Sequence, residues 1–544
     1  MKSALFLAVI LISGFSASAQ VAPAPHDAEV KKAIRFLETE KPVKAVETLN
    51  QAITTYPTVA KLYYYLGYVQ LKTGERGQAL KTFEKGIASN PEEPLNHVGL
   101  GAIRMAEGKP TEAKAFFDKA LAMTKSKDVT VLQAVAEAHL VDIKQVENAI
   151  KLLEKAKSLN SNNYKTFMLF AEADLLRNKA GTSISNAENA ARLEPANGKP
   201  WYSIALIYQR SQNFPLAEEN LKKSISVDPE FTLAYKELGE SYYSMKDGEK
   251  AANAYENYLK LKENPTDLDK TRYAFFLFMA KKYAKANEIF KPLADKPDAS
   301  PTTIKYYGYS LVMAENLPEA QKMFQKYFSM VPADKLEASD YKYYGDLLLK
   351  LKMDSLAVMN YQQSLTLTPN QPDVASAIAE NLFKRRKYPE AIAAYEALAN
   401  LREKKLLSTD LYRLGQAYYQ TEQYQKADTT FGKFAELQSK LSIGYVWLGR
   451  SRANLDPDAK TDAAKTAYDK VVEIASPAPE SGTNKKDLIE AYRYMASYYG
   501  SRDKLDQVKV YVEKILALDP ADANAKEALR LIKEGQKPQK PKSK

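Results

Sequence analysis

The chain offers few side chains for proton transfer near neutral pH or for binding a transition metal. It has three histidines, His26, His97 and His139, and no cysteine among its 544 residues. Histidines bind zinc when several converge, often at short spacing on one helix, and these three lie far apart in the chain. We therefore expect packing or solvent exposure for each histidine, no metal site and no bound cofactor.

Sequence motifs that position a catalytic nucleophile or a zinc-bound water are also missing. Neither G-x-S-x-G nor H-E-x-x-H occurs in the sequence,. With 67 acidic residues, carboxylate pairs are expected by chance on hydrated helix faces,. The sequence therefore favours a protein that is not an enzyme. One catalytic hypothesis stays open, namely a hydrolase with its site in the C-terminal insertions at 456–486.

Pairs of amphipathic helices are the elements that would position any site. Between Pro200 and Pro229, large apolar residues such as Trp201, Tyr208 and Leu221 follow helical spacing on both sides of a polar turn,. Proline then ends the second helix. One such pair cannot bury its apolar stripe alone, so it needs neighbouring pairs.

A small residue recurs about every 34 residues in the first helix of these pairs, at the position that we number eight. Glycine inside a helix costs about 1 kcal/mol relative to alanine, so its recurrence indicates a close helix crossing. The position is occupied by Gly67, Gly101, Ala171, Ala205, Gly239, Ala274, Gly308, Gly345, Ala379, Gly415, Gly449 and Ala496.

The second helix carries a matching pattern of a small residue followed by a large one. Alanine stands twelve residues after position eight, at Ala79, Ala113, Ala149, Ala217, Ala251, Ala286, Ala320, Ala357, Ala391 and Ala427. One turn later comes a bulky residue, at Phe83, Phe117, Leu153, Leu221, Tyr255, Phe290, Phe324, Tyr361, Tyr395 and Phe431,. The small residue provides a hole and the bulky residue a knob on the same face, so neighbouring helix pairs are predicted to pack through contacts between small and bulky residues.

This pattern, with a proline near position thirty-two, resembles the tetratricopeptide repeat family over nearly the whole length after the N-terminus. The resemblance implies an all-α solenoid of about fourteen stacked helix-turn-helix repeats that form a right-handed superhelix. Ala33 fills position eight of a first repeat that looks like a cap. Near 131–160 position eight falls on Glu137, which we interpret as a degenerate repeat. An apolar and basic segment, 521–533, is expected to cap the other end.

The N-terminus predicts export. Lys2 precedes an apolar run and the small-residue stretch that ends at Ala19, which is typical of a signal peptide cleaved after Ala19,. The run is too short to span a bilayer, and no later segment is long and apolar enough. We therefore expect a periplasmic or secreted bacterial protein with no transmembrane segment in the mature chain.

Short insertions and composition divide the chain further. The predicted parts are a signal peptide at 1–19, N-terminal repeats at 26–127, central repeats at 128–334, repeats at 335–475, a loop at 476–486, a C-terminal repeat with its capping helix at 487–533, and a basic disordered tail at 534–544,.

The resemblance also implies a partner-binding groove lined by the first helices. Its predicted residues are Lys236, Glu240, Tyr243, Phe275, Phe278, Met279, Lys305, Tyr309, Met313, Lys342, Asp346, Glu380, Phe383, Tyr412, Gln416 and Tyr419. Aromatics with charges between them suit a protein or peptide partner. For any one of these residues, packing against the next repeat is an equally good interpretation.

The leading functional hypothesis is therefore a protein-protein interaction scaffold of the bacterial envelope. The net charge of +11 leaves open a peptidoglycan- or polyanion-binding adaptor, with a weak attraction to anionic envelope polymers,. No segment resembles a nucleic-acid-binding module, so we expect no nucleic acid partner.

Overall fold

The computed structural model describes residues 24–535, so the predicted signal peptide and the tail beyond Gly535 lie outside the described residues. Within 24–535 the chain forms 29 α-helices, two short 3₁₀ turns and no strand. The helices alternate as the first and second members of fourteen pairs, and α29 follows the last pair. The prediction of an all-α repeat architecture is confirmed.

The chain divides into two compact units, and the boundary falls inside α17, after Tyr306. The helices before that boundary are α1 (Pro25–Glu38), α2 (Pro42–Thr55), α3 (Ala60–Lys72), α4 (Arg76–Ser89), α5 (Pro94–Ala106), α6 (Pro110–Met123), α7 (Val129–His139), α8 (Val146–Leu159), α9 (Tyr164–Leu176), α10 (Ala180–Leu193), α11 (Lys199–Arg210), α12 (Phe214–Val227), α13 (Thr232–Ser244), α14 (Gly248–Leu261), α15 (Asp267–Met279) and α16 (Tyr283–Ala294).

The second unit continues with α17 (Pro301–Met313), α18 (Leu317–Met330), α19 (Ala338–Lys350), α20 (Asp354–Leu367), α21 (Pro372–Lys384), α22 (Tyr388–Leu401), α23 (Ser408–Gln420), α24 (Tyr424–Leu437), α25 (Ser442–Leu455), α26 (Ala463–Ala475), α27 (Asn484–Gly500), α28 (Leu505–Leu518) and α29 (Ala523–Lys533). The loop predicted at 476–486 is shorter than expected because α27 already begins at Asn484. The boundary at Tyr306 was not among those predicted.

Within each pair, the core is built from a contact between the small residue at position eight and a bulky residue of the second helix. A Cβ atom placed on Gly345 would lie 2.7 Å from the ring of Tyr361, and one on Gly415 would lie 2.8 Å from the ring of Phe431. All seven glycines at position eight face an aromatic ring of their own second helix, and an added Cβ would be too close to that ring in every case except Gly308, where the distance to Phe324 is an ordinary 3.5 Å. The rings are Phe83, Phe117, Tyr255, Phe324, Tyr361, Phe431 and Tyr468. The absent side chain therefore makes room for a ring.

In the repeat around α7, the small residue at the helix crossing is Ala136 and not Glu137, so the assignment of Glu137 to position eight was wrong. Ala136 is fully buried in one cluster with Ala149 and Leu153, so Ala136 is the small residue at the crossing. A 3₁₀ turn, Ile143–Gln145, lengthens the connection to α8 and shifts the apparent spacing by one residue. Glu137 is therefore at position nine, where its side chain is only 14% exposed.

The first pair contacts the sixth and seventh pairs as well as its neighbour. The hydroxyl of Thr232 donates to the carbonyl of Thr39 (2.9 Å), and the backbone N–H of Glu263 donates to the carbonyl of Glu40 (3.3 Å). Arg35 on α1 pairs with Asp228, whose side chain is only 5% exposed. We call this set of contacts between the end of the first helix and the loops at 228–232 and 262–263 the clasp.

The last helix, α29, covers the final pair. Ala525 is buried in a cluster with Val512 and Ile515 of α28. Asp522 caps α29 by accepting from the N–H of Ala525 (2.9 Å) and pairs with Arg493 of α27 (2.5 Å). This helix lies within the segment 521–533, whose role as a cap stays a prediction,.

Candidate partner-binding site

The first helices of successive pairs lie side by side, and we call the surface that they form the inner face. On α13 and α15 it carries Glu240, Tyr243 and Arg272. The Nε atom of Arg272 donates to Glu240 (2.9 Å), and its guanidinium carbon lies 4.6 Å from the ring centre of Tyr243. Burial works against the charge of Arg272, but the pairing with Glu240 outweighs it and raises the pKa of the guanidinium. The arrangement fixes a cation beneath an exposed ring.

Aromatic side chains continue from this pair toward α17. The ring of Phe275 lies 5.6 Å from that of Tyr243 and 4.5 Å from that of Tyr306, measured between centroids. Phe278 lies between Tyr306 (6.5 Å) and Tyr283 (5.8 Å). The first unit therefore presents a continuous aromatic strip on the inner face of α13, α15 and the start of α17.

In the second unit the predicted groove residues are held by neighbouring first helices. Tyr309 stacks on Tyr343 with ring centres 4.0 Å apart, and its hydroxyl donates to the buried carboxylate of Asp340. Arg413 pairs with Glu380 (2.9 Å). These side chains connect α17 to α19 and α21 to α23.

Further along the same face, Trp447 of α25 contacts two tyrosines of α23. Its indole N–H donates to the hydroxyl of Tyr412 (3.1 Å), and its ring lies 5.3 Å from that of Tyr419. The hydroxyl of Tyr419 accepts from Asn454 (3.0 Å).

Two of the predicted groove residues pair within a single helix. Lys342 and Asp346 form an ion pair within α19 (2.9 Å).

Access to solvent separates the predicted residues into two groups. Phe275, Lys305 and Tyr309 are buried, at 8%, 8% and 2% exposure, so these three pack inside the fold. Tyr243 and Met313 are exposed. The remaining residues are partly exposed: Lys236, Glu240, Phe278, Met279, Lys342, Asp346, Glu380, Phe383, Tyr412, Gln416 and Tyr419. The role of the accessible residues in binding stays a prediction.

Sequence reasoning missed Arg272, Tyr306, Tyr343 and Arg413, which all stand at position six of their helices. Each contacts the position-nine residue of the preceding first helix, as the distances above show. An acid at position nine meets an arginine, and an aromatic residue at position nine meets a tyrosine. Comparing position nine with position six of the next repeat would have found this correspondence.

A charged cluster lies on the inner face of the first unit. The carboxylate of Glu137 is bound by the hydroxyl of Tyr68 (2.7 Å), by Lys72 (2.9 Å) and by Lys165 (2.9 Å). Burial alone would favour the neutral acid, but the two lysines and the Tyr68 hydroxyl outweigh it and hold the pKa of Glu137 well below its usual range. Glu137 therefore links α3, α7 and α9 as a carboxylate.

The histidines have the surroundings of packed or terminal side chains. His97 is buried, with Nε2 3.4 Å from the carbonyl oxygen of Pro91, and burial lowers its pKa. His139 packs against Phe117 with ring centres 5.1 Å apart, and burial lowers its pKa too. His26 lies at the start of α1, beside Asp27. Residues 24–535 contain no cluster of three side chains arranged to hold a metal ion.

The segment proposed for a hydrolase site borders a polar concavity in the second unit. Asp428 pairs there with Arg452 (2.7 Å). Asp456 accepts from the N–H groups of Lys460 (2.9 Å) and Thr461 (2.6 Å). These carboxylates are therefore engaged in holding the local turn and an ion pair.

Across the described part of the chain, no helix has the length and apolar character required to cross a bilayer.

Comparisons with known proteins point to one family. A tetratricopeptide repeat profile matches residues 66–128 and 202–267, and a second profile of that description matches 411–439. The C-terminal part of a repeat-containing protein from Cytophaga hutchinsonii is 35% identical, over 48% of this chain and 99% of that one, with a TM-score of 0.41.

Two further solved structures are more distant. PilF of Pseudomonas aeruginosa is 19% identical over 41% of this chain and 97% of its own, with a TM-score of 0.29. A repeat protein from Parabacteroides merdae is 14% identical over 46% and 98%, with a TM-score of 0.32. No curated protein matches the chain.

Proposed function

Because the chain belongs to the tetratricopeptide repeat family, we propose that it is a non-enzymatic scaffold that binds a partner protein or peptide on its inner face. Proteins of this family generally mediate protein-protein interactions. The proposal places the contact on the aromatic strip of α13 and α15. The bound partner is held there for assembly or transport at the bacterial envelope.

The observation that carries the proposal is the exposed ring of Tyr243 above the Arg272–Glu240 pair. Aromatic rings bury a large area and lose little rotational entropy on binding. The ion pair fixes the guanidinium before the partner arrives, so less ordering is needed in the complex. Phe278 and Met279 extend the apolar surface along α15.

Partner capture from the native envelope tests this site. The full mature chain is crosslinked in cells, recovered, and compared with the double variant Tyr243→Ser and Phe278→Ser. A dominant partner should be depleted at least tenfold by the variant. Met359→Ser, at an exposed apolar position of the second helix α20, serves as the control and should capture as much as the unchanged chain.

Two results would contradict the proposal. In the first, the unchanged chain enriches nothing over beads alone. In the second, the double variant captures the same partner as fully as the control variant does. Tyr309 is left out of the variant because its burial would turn the experiment into a test of folding. Capture that falls steeply with salt, but not with the double variant, would favour the polyanion adaptor instead.

The proposal also includes export, as a periplasmic or secreted protein. Its support is the sequence before residue 24, where a charged start precedes an apolar run and Ala19,. Cell fractionation with N-terminal sequencing of the mature protein tests it. A chain that keeps residues 1–19 and stays in the cytoplasm would contradict it.

A further inference from the structure

The side chains at position nine and at position six of the next repeat are both large between α13 and α17, but not between α3 and α7. Glu240 meets Arg272 and Phe275 meets Tyr306, so two large side chains fill the space between adjacent first helices. On α3 the position-nine residue is Tyr68, but position six of α5 is Gly99. Between α5 and α7 both positions are small, at Ala102 and Ala134.

These missing side chains leave a cavity of about 220 Å³ among α3, α5 and α7. Its wall is largely apolar and includes the ring of Phe83, which lies against Gly99. Ala102 and Ala106 line it from α5 and are partly exposed. Because this space is open to solvent, an apolar group that entered it would release water from an apolar wall and gain dispersion contacts.

The open side of the cavity is marked by its exposed lining residues. Gly74 lies in the turn after α3, Arg76 begins α4, and Val141 follows α7 with 64% of its surface exposed. Ile143, two residues further along, is equally exposed. Two large apolar residues in solvent beside an apolar opening are typical of a contact surface.

The polar rim of the cavity carries no unbalanced carboxylate. Tyr68, Lys72 and Glu137 all line it, and they are bound to one another as described above. Lys165 supplies a second cation to Glu137. Arg76 also lines the cavity, at its solvent-exposed side. A charged group placed against the apolar wall would lose its hydration, whereas a neutral apolar group would not pay this cost.

We infer that this cavity receives one neutral aromatic or branched aliphatic side chain of the bound partner. The size fits, because an apolar cavity of about 150 Å³ in another protein binds benzene. The inference rests on the proposed function only in that the side chain belongs to a partner. It gives the partner an anchor on α3, α5 and α7 in addition to the aromatic strip on α13 and α15.

The test uses defined probes with the full mature chain and no partner. N-acetyl-tryptophanamide presents the side chain on a backbone, and indole presents the ring alone. Both are titrated by ligand-observed NMR, and the bound site is located by intermolecular nuclear Overhauser effects to the methyl groups of Ala102 and Ala134. Benzylamine and benzoate serve as charged probes and should bind at least tenfold more weakly.

Filling the cavity should abolish binding. Ala102→Leu and, separately, Ala106→Leu should each weaken both neutral probes at least tenfold, with unchanged circular dichroism. Ala393→Leu, the same substitution at an exposed position of α22, should leave binding unchanged. Since Ala102 and Ala106 are partly exposed, the new side chains can enter the cavity without displacing the backbone.

Three outcomes would overturn the inference. They are no saturable binding of either probe, equal binding by the filled and unfilled chains, and binding of indole without the amide, which would point to a free small molecule. Partner capture does not enter this test. Loss of probe binding with intact capture refutes only the pocket, and intact probe binding with no capture refutes only the scaffold function.

Discussion

Gly415 and Gly432 are 17 residues apart, and we expect the same substitution, glycine to alanine, to change the stability of the protein in opposite directions at the two positions. Gly415 lies in α23, where an added Cβ would come within 2.8 Å of the buried ring of Phe431. Gly432 lies in α24, where an added Cβ would meet nothing within 4 Å. Both are inside helices, so the gain in helix propensity is similar and the difference isolates the steric effect.

The magnitudes follow from that comparison. Replacing glycine by alanine inside a helix stabilises by about 0.5–1 kcal/mol, so Gly432→Ala should be stabilising by this amount. Overpacking costs about 1–3 kcal/mol, so Gly415→Ala should be destabilising by up to about 2 kcal/mol after the propensity gain. Phe431→Leu should cost about 1–2 kcal/mol alone, because it removes part of a buried ring.

The double variant Gly415→Ala with Phe431→Leu reproduces the Ala205 and Leu221 combination of another repeat. It should therefore be more stable than the sum of the two changes by about 1 kcal/mol. Hydrogen exchange followed by mass spectrometry gives the opening free energies of α23 and α24, which suits a repeat array whose stability is local. If Gly415→Ala protects these helices as well as Gly432→Ala does, the glycine is not there to admit the ring.

Three further predictions concern buried polar groups. The pKa of Glu137 in the folded protein lies below its ordinary value of 4.5. Its contribution to stability is therefore present above that pH and is lost as the pH falls below it, so Glu137→Gln should flatten the fall of the thermal midpoint on the acid side. An unchanged pH profile of the midpoint would contradict this. Asp228→Asn should weaken the clasp by about 2–4 kcal/mol and speed hydrogen exchange in α1. The control Glu230→Gln alters an exposed ion pair with Lys41 and should cost under about 1 kcal/mol. Equal effects of the two variants would argue against the clasp. Tyr309→Phe should lower the stability of α17 and α19 by about 1–3 kcal/mol, because Asp340 loses a buried donor,. Partner capture should stay unchanged. Loss of capture without loss of stability would show that Tyr309 binds the partner.

The sequence was sufficient to predict the helix pairs and the small and bulky residues of their cores because that information is local. Gly345 and Tyr361 are 16 residues apart, and a constant spacing repeated along the chain identifies both partners. The assignment of Glu137 failed because a single 3₁₀ turn shifted the spacing within one repeat. Position six was overlooked because its importance depends on how closely two first helices approach, which the pattern within one repeat does not record.

The site was predicted less completely than the fold. The pattern placed Tyr243 and Phe278 on an accessible face, but the same pattern also selected Tyr309, which packing removes from solvent. Burial on the inner face is decided by the residue opposite, such as Tyr343 for Tyr309. The cavity on α5 had no positive signal in the sequence, because it arises where two side chains are small at once.

The bond from Thr232 to the carbonyl of Thr39 spans 193 positions of the chain. In an open array the free energy is a sum over adjacent repeats, and the terminal repeat frays because it has a neighbour on one side only. Here the terminal repeat has neighbours on two sides, so the first seven repeats should melt together instead of peeling from the end. Closing so long a loop has an entropic cost, which is offset only after the intervening helices have stacked. Closure should therefore be a late event in folding.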